Sequence, residues 1–241
     1  MSNLKNYIDS TLNNEYEFEK ILSETAVNRL TLYKHNSSQN QLVLIQSNYR
    51  NDDVFRKLKS LDTNEYLPMI YEVCSEDDYL YVLEEYIDGE TLADIMQSGR
   101  HISNREIKKY LTDLCNALEI LHRLNIIHRD IKPENIMIYN GKACLIDLSI
   151  AKSMSGDKSN DTINLGTIGY AAPEQFGFSQ SQPTTDIYAL GVLANELILG
   201  VHPTIEIPKG KFGKIIKKCT ATQISKRYQN VYSLNKALSH I

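Results

Sequence analysis

The chain has 241 residues, with 26 Lys and Arg against 30 Asp and Glu; apolar residues make up 42% and charged residues 23%. That balance is the ordinary one of a soluble globular protein, at a length suited to one large domain or two small lobes. The formal net charge of −4 excludes a general nucleic-acid binder, whose footprint would be basic.

In chain order, the N-terminal segment MSNLKNYIDSTLNNEYEFEK lacks the apolar core of a secretory signal. Residues 29–34 and 41–45 predict strands, joined as a hairpin by the polar turn at 35–40. Residues 54–61 carry helical apolar spacing at Val54, Phe55, Leu58 and Leu61. Residues 79–86 predict another strand, followed by the turn signal Asp88-Gly89. The chain then turns helical. Ser103 and Glu106 fit a capping box, and Ile107, Tyr110, Leu111, Leu114, Leu118 and Leu121 keep one apolar face. The polar stretch 153–161 reads as a loop. Residues 187–199 are apolar nearly all round and stop at Gly200, which predicts a buried helix. That stretch is shorter than the roughly 20 residues of a membrane span and contains Asn195 and Glu196, so no span is expected. The cysteines at 74, 115, 144 and 219 show no C-x-x-C spacing, which points to a reducing cytoplasmic setting rather than zinc or disulfides.

The chemistry concentrates at His128-Arg-Asp-Ile-Lys-Pro-Glu-Asn135 and at Asp147, which closes an apolar strand. Asn135 and Asp147 are hard oxygen donors suited to magnesium, Lys132 suits the charge of a phosphoryl group, and Asp130 suits orienting an attacking hydroxyl. Phosphoryl transfer needs little beyond such positioning and charge neutralisation.

This segment resembles the catalytic loop of the protein kinase family, H-R-D-x-x-x-x-N. Asp147-Leu-Ser149 stands where the family has D-F-G, and GTIGYAAPE, ending at Glu174, resembles the close of the activation segment through A-P-E. Asp186 falls where a buried helix holds the catalytic-loop backbone, and Arg227 where a late arginine pairs with the A-P-E glutamate. The register fits from about residue 17 to 240. The resemblance implies an α+β, two-lobed protein kinase-like fold in one domain, with a β-rich N-lobe (about 1–84), a hinge (about 85–90) and a helical C-lobe (about 91–241). It implies ATP and Mg2+, with Asp130 and Lys132 catalytic, Asn135 and Asp147 on the metal, and Glu85 and Ile87 offering hinge groups to adenine. Met137 resembles the apolar floor under the base, although core packing fits it nearly as well. Lys132 and Thr167 resemble the serine/threonine branch, and the wording around A-P-E looks bacterial, so a protein substrate carrying Ser or Thr is implied. A phosphate on Thr162, Ser159 or Thr167 would pair with Arg129; a simply solvated loop is the alternative.

The N-terminal part departs from the family. Aligned through Ile21-Leu22, the glycine-rich positions become Ser23, Thr25 and Asn28, which removes the close backbone approach that glycine gives phosphates. V-A-I-K matches Val43-Leu-Ile-Gln46, which puts Gln46 in place of the phosphate-binding lysine and Val54 in place of its glutamate, with Asp52 and Asp53 adjacent. Arg29 and Lys34 are the nearest substitute cations, and Glu84, at the back-pocket position, needs a partner if buried.

Three readings follow. The first is a serine/threonine protein kinase with an atypical nucleotide loop. The second is a pseudokinase acting as a binding or regulatory module. The third, a small-molecule phosphotransferase of kinase-like fold, is opposed by the A-P-E-like segment and Thr167. His128 is expected to be structural and His202 a loop residue. Residues 207–241 hold eight Lys and Arg and no acid; they are expected to form the last helices, with Arg227 paired to Glu174 and the other seven solvated or forming a face for an acidic protein or a membrane surface.

Overall fold

The computed structural model describes residues 3–61, 63–76, 78–154, 166–176 and 180–241. It divides into two compact units, residues 1–64 with 68–87, and residues 65–67 with 88–241.

The N-terminal unit contains α1 (Asn3–Glu15), β1 (Tyr16–Glu24), β2 (Asn28–His35), β3 (Gln41–Ser47), α2 (Asp52–Lys59), β4 (Ile70–Glu76) and β5 (Tyr79–Glu85). Among the described residues these strands form one five-stranded antiparallel sheet in the order β1-β2-β3-β5-β4. Side chains alternate between its faces. Leu42, Cys74 and Leu83 pack under Ile8 and Leu12 of α1, with Leu44 and Tyr81 partly buried beside them. Val43, Ile45, Val73, Leu80 and Val82 are buried on the opposite face. Helix α2 lies on that second face: it buries Val54, Phe55 and Leu58, and its Asp52 accepts a hydrogen bond from Ser75, the cross-strand partner of Leu80.

The C-terminal unit contains β6 (Glu90–Thr91), α3 (Leu92–Gln97), α4 (Asn104–Arg123), β7 (Ile126–Ile127), β8 (Ile136–Tyr139), β9 (Lys142–Leu145), β10 (Lys152–Ser153), α5 (Pro183–Leu199), α6 (Gly210–Cys219) and α7 (Val231–Ser239). Two small sheets, β6-β8-β9 and β7-β10, frame the segment between α4 and α5. The capping box is present, with Ser103 N–H donating to Glu106 Oε2 at 2.9 Å and Glu106 N–H to Ser103 Oγ at 3.3 Å. Buried Asp113 ties α4 to β9, its Oδ2 accepting from the Ala143 amide at 3.0 Å and from Lys109 Nζ at 2.8 Å. Helix α5 starts at Pro183 and ends at Gly200, whose φ of 71° is the left-handed conformation that stops helices. The architecture is α+β, with the strands concentrated in the N-terminal unit and the helices in the C-terminal one.

Of the stretch 153–161 read as a loop, Ser153 instead pairs with Ile126, as Lys152 does with Ile127, in β10; residues 155–161, Ser159 among them, and Thr162 lie outside the described residues. The basic C-terminal stretch folds into α6 and α7. Seven of its cations are exposed and Arg227 is buried.

Candidate active site

The site is built on the loop that leaves β7. Asp186, buried on α5, accepts the backbone amides of His128 (3.0 Å) and Arg129 (2.9 Å), and His122 Nε2 lies 2.8 Å from its Oδ2. Burial pushes the Asp186 carboxyl up, but the bonds from His122 and the Arg129 amide hold it below the ordinary range. These contacts stabilise an unusual backbone: Arg129 has φ 74°, a left-handed conformation rare outside glycine. His128 is structural, as expected. Its Nδ1 accepts from the Asp130 amide at 3.4 Å, and its Nε2 faces the Ile146 carbonyl at 3.2 Å.

Four side chains converge. Asp130 Oδ1 accepts from Thr167 Oγ1 at 2.7 Å, and its Oδ2 accepts from Lys132 Nζ at 2.8 Å and Asn135 Nδ2 at 3.0 Å. Lys132 also donates to Thr167 Oγ1 at 3.0 Å. Burial raises the Asp130 carboxyl, while Lys132 and Thr167 bring it below its usual range. It is therefore an anion at neutral pH.

Asn135 spends both amide hydrogens on Asp130, the second on its carbonyl at 2.8 Å, which leaves Oδ1 as a positioned acceptor. The Ile146 amide donates to the Asn135 carbonyl at 2.9 Å and so links this amide to the strand that leads into Asp147. Asp147 itself has φ 61°, and its Oδ1 accepts from the Ser149 amide at 3.1 Å. An amide oxygen and a carboxylate are the hard donors that magnesium takes, so this donor set fits the metal. Met137 is buried in β8, paired with Thr91 and Cys144.

The segment that begins at Gly166 is anchored on both sides. Gln175 donates to the Arg129 carbonyl at 3.0 Å and accepts from the Ala172 amide at 2.9 Å. Gly166, with φ 134°, lets the chain pass this amide: a Cβ there would come within 2.8 Å of Gln175 Nε2. Tyr170 donates its hydroxyl to Glu196. Glu174 and Arg227 form a buried two-pronged pair at 2.7 and 2.9 Å, and the guanidinium also donates to the carbonyls of Thr184 and Ala221.

The N-terminal unit places its expected nucleotide residues differently. The Thr25–Asn28 turn closes on itself. Thr25 Oγ1 accepts the amides of Val27 (3.2 Å) and Asn28 (2.9 Å), and Asn48 holds the Ala26 and Val27 carbonyls. Ser23 sits in β1, an exposed edge strand. Gln46 lies across from Arg29 and Tyr81, on the face that α1 covers. On the face that carries α2 and Glu84, the residue is Ile45. A side chain directed from β3 towards α2 must therefore leave position 45, because position 46 points the other way. The adjacent acids are engaged locally, Asp52 with Arg50 and Ser75, Asp53 with Lys57 at 2.8 Å. Arg29 lies 3.7 Å from Glu24, and both are half-exposed. Glu84 is buried at the end of β5, and the Glu85 amide bonds the Met69 carbonyl at 2.9 Å.

Sequence reasoning missed the contacts of His122, Gln175 and His202. Gln175 directly follows the A-P-E glutamate, whereas His122 and His202 lie outside the recognised motifs; the partners Arg129, Asp186 and Gly169 are each distant in sequence, so local spacing does not disclose these contacts.

The family described as protein kinase domain matches residues 24–241, and the chain belongs to that family. It is similar to serine/threonine-protein kinase C of Synechocystis (33% identical, 66% of this chain, 31% of that protein). It is also similar to serine/threonine-protein kinase PrkC of Bacillus subtilis (31% identical, 66% and 26%). A third relative is a probable serine/threonine-protein kinase of Clostridium perfringens (30% identical, 81% and 30%). The chain thus spans less than a third of the length of these relatives. Among the described residues no helix is long and apolar enough to cross a membrane.

Proposed function

We propose that the chain is a serine/threonine protein kinase that transfers the ATP γ-phosphoryl group to a protein hydroxyl. The observation that carries this reading is the convergence of Lys132, Asn135 and Thr167 on the ionised Asp130. Asp130 orients the acceptor hydroxyl and takes its proton as the new P–O bond forms and the bond to the ADP oxygen breaks. Lys132 stabilises charge on the transferred group. Asn135 and Asp147 would hold magnesium, which when bound neutralises phosphate charge. The buried, free cysteines suit a reducing compartment such as the cytoplasm.

A second reading, a pseudokinase, is favoured by the N-terminal unit. Ile45 takes the position facing α2, Val54 is buried on that helix, and the loop amides at Val27 and Asn28 are already spent on Thr25. The transfer reading therefore assigns the phosphate grip to the C-terminal groups, at a cost of roughly a hundred- to a thousandfold in rate for one missing electrostatic donor.

Thermal unfolding with ATP, with and without magnesium, separates the two. At a hundred times its dissociation constant, a nucleotide adds about 2.7 kcal/mol. A magnesium-dependent shift that disappears in Asp147→Asn supports the transfer reading; no shift at millimolar nucleotide supports the second.

A further inference from the structure

We propose that His202 is a positioning residue of the acceptor site: it clamps the Gly169 carbonyl and so fixes the turn that presents Thr167 and Ile168. The role in acceptor binding rests on the transfer reading above; the clamp itself does not.

The clamp is built from α5 outward. Asn195, fully buried on that helix, donates through Nδ2 to the carbonyls of Val201 (2.7 Å) and Glu206 (2.8 Å), and so staples both ends of the loop between them. Within the loop, Pro203 restricts the backbone of His202 to extended conformations. The Ile205 amide donates to the His202 carbonyl at 2.9 Å. The imidazole is thus delivered by a fixed backbone.

Its two nitrogens have separate partners. Thr204 approaches Nδ1 with its hydroxyl at 2.7 Å and its amide at 3.3 Å. The amide can only donate, so Nδ1 accepts and the ring proton sits on Nε2. Nε2 lies 3.0 Å from the Gly169 carbonyl and donates to it. The next residue, Tyr170, is held by Glu196, the neighbour of Asn195 on α5. One helix therefore fixes two successive residues of the turn.

The turn itself is closed by the Tyr170 and Ala171 amides, both donating to the Thr167 carbonyl at 3.0 Å. Thr167 faces Asp130, while Ile168 is 88% exposed. On the transfer reading, an acceptor chain whose hydroxyl reaches Asp130 would pass this isoleucine, which is held out in water between two anchored neighbours.

The test uses three variants of the full chain. His202→Gln retains an amide donor at the Nε2 position; His202→Asn reaches only as far as Nδ1; His202→Ala retains neither. Amide hydrogen exchange at Tyr170 and Ala171 should rise roughly fivefold in the Ala and Asn variants, the effect of one lost neutral hydrogen bond. KM for a protein acceptor should rise by a similar factor, with KM for ATP unchanged, and His202→Gln should restore both. Unchanged exchange in His202→Ala, or a Gln variant no closer to wild type than Asn, overturns the clamp whatever the activity. Altered exchange without a change in acceptor KM overturns the acceptor role alone. A wild type that transfers no phosphoryl group overturns the reading on which that role rests.

Discussion

The Thr167 hydroxyl bridges the site's carboxylate and its ammonium, lying 2.7 Å from Asp130 Oδ1 and 3.0 Å from Lys132 Nζ. Because the hydroxyl donates to one and accepts from the other, it ties the end of the activation segment to the loop leaving β7. Thr167→Val keeps the shape and removes both bonds. Hydrogen bonds to charged groups contribute about 1.5–3 kcal/mol, so phosphoryl transfer should fall about ten- to a hundredfold, and Thr167→Ser should stay near wild type. Initial rates alongside melting curves check this.

Asp130 must be ionised to orient a hydroxyl. Against the effect of burial, Lys132 and Thr167 hold its carboxyl below the usual range. The acid limb that Asp130 contributes should therefore lie below the ordinary carboxylate pKa of about 4. Thr167→Val should move the limb upward. A pH profile of kcat/KM, with stability followed in parallel, reads both.

Glu174 and Arg227 are both buried, and each satisfies the other. Removing one partner strands a charge, which costs about 3–5 kcal/mol. Urea midpoints of Glu174→Ala and Arg227→Ala should drop by more than about 1 M, given slopes of about 1–3 kcal/mol per molar. Glu174→Gln combined with Arg227→Met should cost less than either single change.

The face assignment on β3 predicts an asymmetry. Gln46→Lys places a cation on the side covered by α1 and should leave nucleotide binding unchanged. Ile45→Lys with Val54→Glu builds an ion pair on the α2 side and should raise magnesium-ATP affinity, whereas Ile45→Lys alone buries an unpaired charge and should destabilise. Calorimetric titration of the three variants distinguishes them.

That asymmetry also marks where the sequence was legible and where it was not. The motifs from His128 to Glu174 declared the family and the convergence of Asp130, Lys132 and Asn135, because their spacing is local and their chemistry specific. Capping signals at Ser103 and Gly200 located helix ends for the same reason. The register of β3 was hidden: Val43-Leu-Ile-Gln46 is apolar on both faces, and a one-residue shift exchanges them without altering the local pattern. Helix α1 was also invisible. Its Asn3, Asn6, Asn13 and Asn14 are weak helix formers, and only its contacts with Leu42, Cys74 and Leu83 reveal why it forms.

The central claim is that Asp130 serves a working phosphoryl-transfer site. Label transfer from γ-labelled ATP with magnesium to a generic Ser/Thr protein acceptor tests it most directly, with Asp130→Asn assayed beside the wild type. The account predicts label on serine or threonine with the wild type and at least a hundredfold less with the variant, the scale of losing one key electrostatic group. Equal label from both proteins, or none from the wild type, would contradict it.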